Sequence, residues 1–214
     1  ARACFTGEHA IDDTPAIDIA VEGEGGVGGR GQIAFGGKGF DTIDFSGASQ
    51  GVVADLSKNI VTGQGNDSVS GFEALIGTSF ADTIKGTSGA EVIMAGEGEN
   101  VIRGMGGSDT MSGGLEHDTF VWKSADVTAG SLDIIKGFEG NDSLDIRQMF
   151  AGLLTDEMTR QERVAAINDN VHMTETDQGT MLQVNVGGAF VDVAMLEGYY
   201  TFGASAGNLA SDGV

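Results

Sequence analysis

Residues 77–121 repeat with a period of nine. Cut as GTSFADTIK, GTSGAEVIM, AGEGENVIR, GMGGSDTMS and GGLEHDTFV, the stretch runs without a gap and places Asp82, Glu91, Asn100, Asp109 and Asp118 sixth in their blocks. The eighth places are Ile84, Ile93, Ile102, Met111 and Phe120, flanked mostly by Thr, Lys, Arg and Ser. No other feature constrains the fold as much, because units this small cannot bury a face alone and must stack on their neighbours. Three residues pointing out, in and out make a minimal strand, and six glycine-rich residues make a turn that needs left-handed backbone angles. Two blocks then close one flattened coil. The period predicts an all-β chain built as a β-solenoid.

Two further stretches fit the template: GGKGFDTID at 36–44, and TGQGNDSVS at 62–70 in all but its first place. They add Asp41 and Asp67 to the sixth-place set. Neither is in phase with the main array, so an interruption is expected, and SGASQGVVADLSKNIV supplies it with a short strand over Val52 to Leu56. A later echo, EGNDSLD at 139–145, carries the coil to residue 146. Residues 1–35 form a lead-in. Within it GEGGVGGRG lacks the acid, and AIDIAVE at 16–22 alternates as one strand that either begins the stack or ends an upstream domain. The start without Met favours a piece of a longer protein.

The sixth places carry the chemistry. In a two-block coil, residues eighteen apart lie over one another, pairing Asp82 with Asn100, Asn100 with Asp118, and Glu91 with Asp109. Carboxylates held that close repel by roughly 1 kcal/mol per pair in water and about 4 at an effective dielectric near 20. A hard cation reverses the sign. Ca²⁺ accepts 6 to 8 oxygens in flexible geometry, whereas Mg²⁺ demands a tight octahedron, so calcium is the expected ligand. Backbone carbonyls complete the donor set, from Gly77, Gly104 and Gly113 at first places and Gly89, Gly98 and Gly107 at fourth places. Glu91 is a methylene longer than Asp and Asn100 lacks a charge, so the sites are not expected to be equal. The competing reading is a solenoid whose acids only solvate its turns.

At these residues the chain resembles the repeats-in-toxin (RTX) calcium-binding family, and more closely the carboxy-terminal domain of serralysin-like metalloproteases. The likeness runs through FDTIDFSGASQGVVADLS, GFEALIGTSFADTIKG, GGLEHDTFVW and DIIKGFEGNDSLDI, roughly residues 36–146. It implies a parallel β-roll with calcium in its turns, a partner in the type I secretion apparatus, and an uncleaved export signal near the carboxy terminus. It also implies a secreted or surface location in a Gram-negative bacterium. The terminal Ala-Ser-Asp-Gly-Val only partly fits the family's ending. A second reading, in the binding class, is a calcium-dependent adhesin or surface-layer module that binds glycan or associates with its own copies.

Residues 147–214 read as a cap and signal region. Thr159 and Glu162 form a capping box that opens a short helix through Ile167, and three alternating strands follow with Asp-Gln-Gly and Gly-Gly turns. Phe150, Leu153, Leu154, Val164 and Ile167 are expected to cover the open end of the solenoid.

Thirty-two acids against 11 bases, a net charge of -21, exclude nucleic acid as a partner by simple repulsion. No His-Glu-x-x-His helix, Gly-x-Ser-x-Gly elbow or phosphate loop is present, so no catalytic site is expected. His9, His117 and His172 lie far apart in sequence, the single Cys4 excludes an internal disulfide, and Trp122 with Phe120 reads as an anchor of the last coil.

Overall fold

The computed structural model describes residues 33–63 and 65–198, together with the backbone of two strands, Arg2–Cys4 (β1) and Asp18–Ala20 (β2). His9, the GEGGVGGRG lead-in and the terminal Ala-Ser-Asp-Gly-Val lie outside the described residues.

The period of nine becomes strands of three. Thr83–Lys85 (β9), Val92–Met94 (β10), Val101–Arg103 (β11), Thr110–Ser112 (β12) and Thr119–Val121 (β13) occupy the seventh to ninth places of their blocks. Successive strands fall alternately in two sheets, so each pairs in parallel with the strand eighteen residues on, as in Ile93 with Met111 and Ile102 with Phe120. Ile84, Ile93, Ile102, Met111 and Phe120 are all within 1% of complete burial. They form a single file between the sheets, each contributing about 1.5–3 kcal/mol by leaving water.

The coil extends both ways. On the early side, Ile33–Phe35 (β3), Thr42–Asp44 (β4), Val53–Asp55 (β5) and Ala74–Ile76 (β8) belong to it, and β2 pairs in parallel with β4. On the late side, Asp133–Lys136 (β14) stacks on β12 and Ser143–Asp145 (β15) on β13. Here the spacing is 24 residues because loop 122–132 inserts six.

The interruption after β5 is a reversal. A 3-10 turn over Leu56–Lys58 ends at Asn59 in the left-handed region (φ 59), sending Ile60–Thr62 (β6) back antiparallel to β5. Asn66–Ser70 (β7) reverses again, antiparallel to β6 and parallel to β3. TGQGNDSVS therefore closes a hairpin, and its seventh to ninth places pair in parallel with β3 while its eighth, Val69, is buried. Asp67 lies inside that hairpin, opposite Val61, because the chain is already extended one residue before the acid.

The cap shares a sheet with the coil. Val171–Thr176 (β16), Gly179–Val186 (β17) and Ala189–Glu197 (β18) form an antiparallel meander, and β18 pairs in parallel with β14. Gly187 and Gly188, both at positive φ, make the two-residue turn between β17 and β18. Helix α1 (Arg160–Asn168) starts at the expected capping box, with Glu162 N–H donating to Thr159 Oγ1 and Thr159 N–H to Glu162 Oε2. Phe150 is buried, and Leu154 and Ile167 pack against the core. Leu153, in the turn after Phe150, and Val164 instead face solvent at 43% and 44% exposure, the latter because α1 is too polar and short to bury a side.

Candidate metal centre

The sixth-place residues stack in two columns, one on each edge of the coil. Most rungs of each column are joined in a ladder of hydrogen bonds in which a sixth-place side chain accepts from a backbone N–H on the rung before, Glu91 being the exception. On one edge, Asp41 N–H donates to Glu73 Oε2 at 2.9 Å, Glu91 N–H to Asp109 Oδ1 at 2.9 Å, and Asp109 N–H to Asp133 Oδ1 at 3.0 Å. On the other, Val52 N–H donates to Asp82 Oδ1 at 2.7 Å, and Asp82 N–H to Asn100 Oδ1 at 2.9 Å. That column continues with Asn100 N–H to Asp118 Oδ1 at 2.9 Å and Asp118 N–H to Asp142 Oδ1 at 3.0 Å. Hydrogen bonds to a charged group contribute about 1.5–3 kcal/mol each, so the ladder offsets part of the cost of burying these acids.

Glu73, Asp133 and Asp142 thus join the columns beside the expected residues. Setting the nine-residue frame back one block gives SVSGFEALI with Glu73 sixth, and restarting it after loop 122–132 gives TAGSLDIIK and GFEGNDSLD with Asp133 and Asp142 sixth. Asp67 lies near the start of β7, which stands between β6 and β3 in the second sheet.

The ladder uses one oxygen each of Asp82, Asp109, Asp118, Asp133 and Asp142, and the remaining carboxylate oxygens differ. Asp82 Oδ2 accepts from Thr78 N–H at 2.7 Å, and Oδ1 also accepts from Thr78 Oγ1 at 3.0 Å. Thr87 serves Glu91 in the same way, its N–H donating to Oε2 at 3.1 Å and its hydroxyl to Oε1. Asp133 Oδ2 accepts from the indole N–H of Trp122 at 2.7 Å, and Asp142 Oδ2 from Glu139 N–H at 2.8 Å. Asn100 has an amide in place of the second oxygen, and its Nδ2 donates to the carbonyls of Gly98 at 2.9 Å and Gly113 at 3.3 Å. Asp109 Oδ2 and Asp118 Oδ2 are fully buried with no hydrogen-bond partner.

Burial pushes the Asp109 carboxyl up to about 7, helped by the charges of Asp133 and Glu91. Burial likewise raises Asp118, with Asp142 and Glu116 adding to it, and raises Asp133. Glu116 comes close because its Oε2 accepts from Gly98 N–H at 3.1 Å.

The first-place glycines shape the notch around these oxygens. A Cβ on Gly104 would lie 2.1 Å from Asp109 Oδ2, and one on Gly113 would lie 2.0 Å from Asp118 Oδ2. At Gly86 the same point is 2.4 Å from the Gly104 carbonyl oxygen and 2.8 Å from Glu91 Oε2, and at Gly77 it is 2.1 Å from Ala95 O and 2.5 Å from Asp82 Oδ2. Each notch therefore gathers an acid oxygen of its own rung and, at Gly77 and Gly86, a carbonyl of the next. Among the described residues no three His, Cys, Asp or Glu side chains converge, so a cation here must draw on backbone carbonyls. That donor set is all oxygen, which suits calcium. The fourth-place glycines stack closely as well, a Cβ on Gly107 meeting the Gly89 carbonyl oxygen at 1.8 Å.

Residues 70–90 and 85–120 match the RTX calcium-binding nonapeptide repeat, in four copies. No curated protein matches the chain. Among solved structures, the R3 subunit of AlgE6, a mannuronan C5-epimerase of Azotobacter vinelandii, is similar at 21% identity over 64% of this chain and 88% of that one, with a TM-score of 0.22.

Proposed function

Because residues 70–120 carry RTX calcium-binding nonapeptide repeats, we propose that this chain is a calcium-triggered folding module that serves the type I export of a longer protein. The observation that carries the reading is the pair of buried, unpartnered carboxylate oxygens on Asp109 and Asp118. An ionised carboxylate held away from water without a partner costs several kcal/mol, so the closed coil is under strain at neutral pH. Calcium supplies the charge and coordination that this arrangement lacks.

The chain's own residues do the rest. Asp109 and Asp118 present carboxylate oxygens at the notches of Gly104 and Gly113, the ladder fixes their orientation through Oδ1, and the file of apolar eighth places holds successive turns in register. At low cytoplasmic calcium the acids favour an open chain able to thread an export channel. In a calcium-rich exterior the turns close, and closure disfavours return. RTX repeat proteins are typically secreted by Gram-negative bacteria, which agrees with that sequence of events. The repeats are in themselves a binding module and not a catalytic one, so any chemistry belongs to a protein that carries them.

Far-ultraviolet circular dichroism and thermal unfolding, with calcium and then with a chelator at neutral pH, test the reading. Loss of β signal or a large drop in melting temperature on chelation is expected. An unchanged spectrum and melt after thorough calcium removal would contradict it. Removing residues 147–214 is expected to stop type I export of a fused cargo, and continued export would remove the signal from the account.

A further inference from the structure

The second place of each nonapeptide differs along the array, and it sorts the turns. In the turns that begin at Gly77 and Gly86 it is Thr78 and Thr87, whose N–H and hydroxyl satisfy the acid four residues on. In the turns that begin at Ala95, Gly104 and Gly113 it is Gly96, Met105 and Gly114, all at positive φ (105, 81 and 137). For Asp109 and Asp118 the second oxygen is then left without a partner, while the turn at Ala95 carries Asn100 instead of an acid. There the amide nitrogen bridges the Gly98 and Gly113 carbonyls, a neutral donor standing between two rungs where a cation would otherwise be called for.

We propose that, within the contiguous array, calcium binds only at the turns of Asp109 and Asp118, and that the turns of Asp82, Glu91 and Asn100 are closed by Thr78, Thr87 and the Asn100 amide without metal. Three of the five sixth-place side chains thus hold their turns by protein donors alone, and the calcium-requiring turns are the last two. The inference rests on the calcium reading above and deepens it by assigning the metal to particular rungs. Trp122, the only tryptophan, is joined to this region through Asp133, which accepts from both its indole N–H and Asp109 N–H. Its emission should therefore report the filling of the Asp109 turn.

Isothermal titration of the whole chain with calcium, with Trp122 emission followed in parallel, gives the number of ions bound. Asp109→Asn and Asp118→Asn keep the Oδ1 acceptor of the ladder and remove the charge, and each is expected to abolish one binding event. Asp82→Asn and Glu91→Gln are expected to leave the number unchanged. Should wild type bind calcium but Asp82→Asn or Glu91→Gln cost an ion as readily, the calcium reading stands and this assignment is overturned. A wild-type chain that binds none overturns both. If the Asn variants fail to fold, Thr87→Ala carries the test: freeing Glu91 Oε1 should add a binding event, and an unchanged number would count against the assignment.

Discussion

The turns at Gly86 and Gly104 lie on the same edge of the coil, one rung apart, and end in acids that are 5% and 1% exposed. Glu91 takes both its side-chain bonds from Thr87 within its own turn, whereas Asp109 spends one oxygen on the rung before and keeps the other bare. The sixth place, which defines the repeat, is acidic in both. The difference comes from the second place, where a threonine brings two donors and a residue at positive φ brings none. A repeat can therefore keep its period and its core while losing its need for metal.

The comparison breaks most visibly if the core, which both turns share, is damaged. Phe120→Ala removes a fully buried ring from the file of eighth places and is expected to cost about 3–5 kcal/mol. Because the loss is one of packing, chemical denaturation should register it in calcium and in chelator alike. A deficit seen only in calcium would mean that Phe120 acts through the metal turns.

Acidity sharpens the contrast more gently. Asp109 titrates near 7 in the folded chain against an ordinary aspartate value of 3.8, so without metal the folded state binds the extra proton between those values. Stability from that proton is fully present below about pH 4 and is lost as the pH rises through about 7. The calcium-free chain should therefore melt at a higher temperature near pH 5 than near pH 8. With calcium in excess that gain on acidification should shrink or reverse, and calcium affinity should fall as the pH drops below about 7. A calcium-free melting temperature that climbs from pH 5 to pH 8 would contradict the burial of Asp109 as an unpaired acid.

The smallest effect concerns Met105, which holds a left-handed conformation (φ 81) where the blocks on either side have Gly96 and Gly114. That backbone costs a side chain about 1–2 kcal/mol, against roughly 0.5–1 lost to the greater freedom of unfolded glycine. Met105→Gly should stabilise the chain by about 0.5 kcal/mol in a denaturant titration and leave the number of calcium ions unchanged.

Much of this was legible in the sequence, for a physical reason. A coil repeats its geometry, so one period announced the strands at the seventh to ninth places, the buried eighth places and the stacking of Glu91 on Asp109 and of Asn100 on Asp118. Where Asp67 falls was not legible because TGQGNDSVS satisfies the local template, while the strand it enters depends on the reversal at Asn59 some residues earlier. Glu73 was hidden because its in-phase block overlaps that hairpin, and Asp133 and Asp142 because loop 122–132 shifts the frame by six. Helix α1 had its capping box in plain view, yet which of its side chains face the core depended on where the cap meanders. The roles of Thr78 and Thr87 lay beyond pattern reading, since a threonine in a turn announces no partner until the acid four residues on is placed beside it.

Amide hydrogen exchange, resolved by segment in calcium and in chelator at neutral pH, tests the central claim most directly. The account predicts that protection of Thr110–Ser112 and Thr119–Val121 collapses when calcium is removed, while Thr83–Lys85 and Val92–Met94 keep most of theirs. Equal loss across all four strands, or protection of all four that ignores calcium, would contradict it.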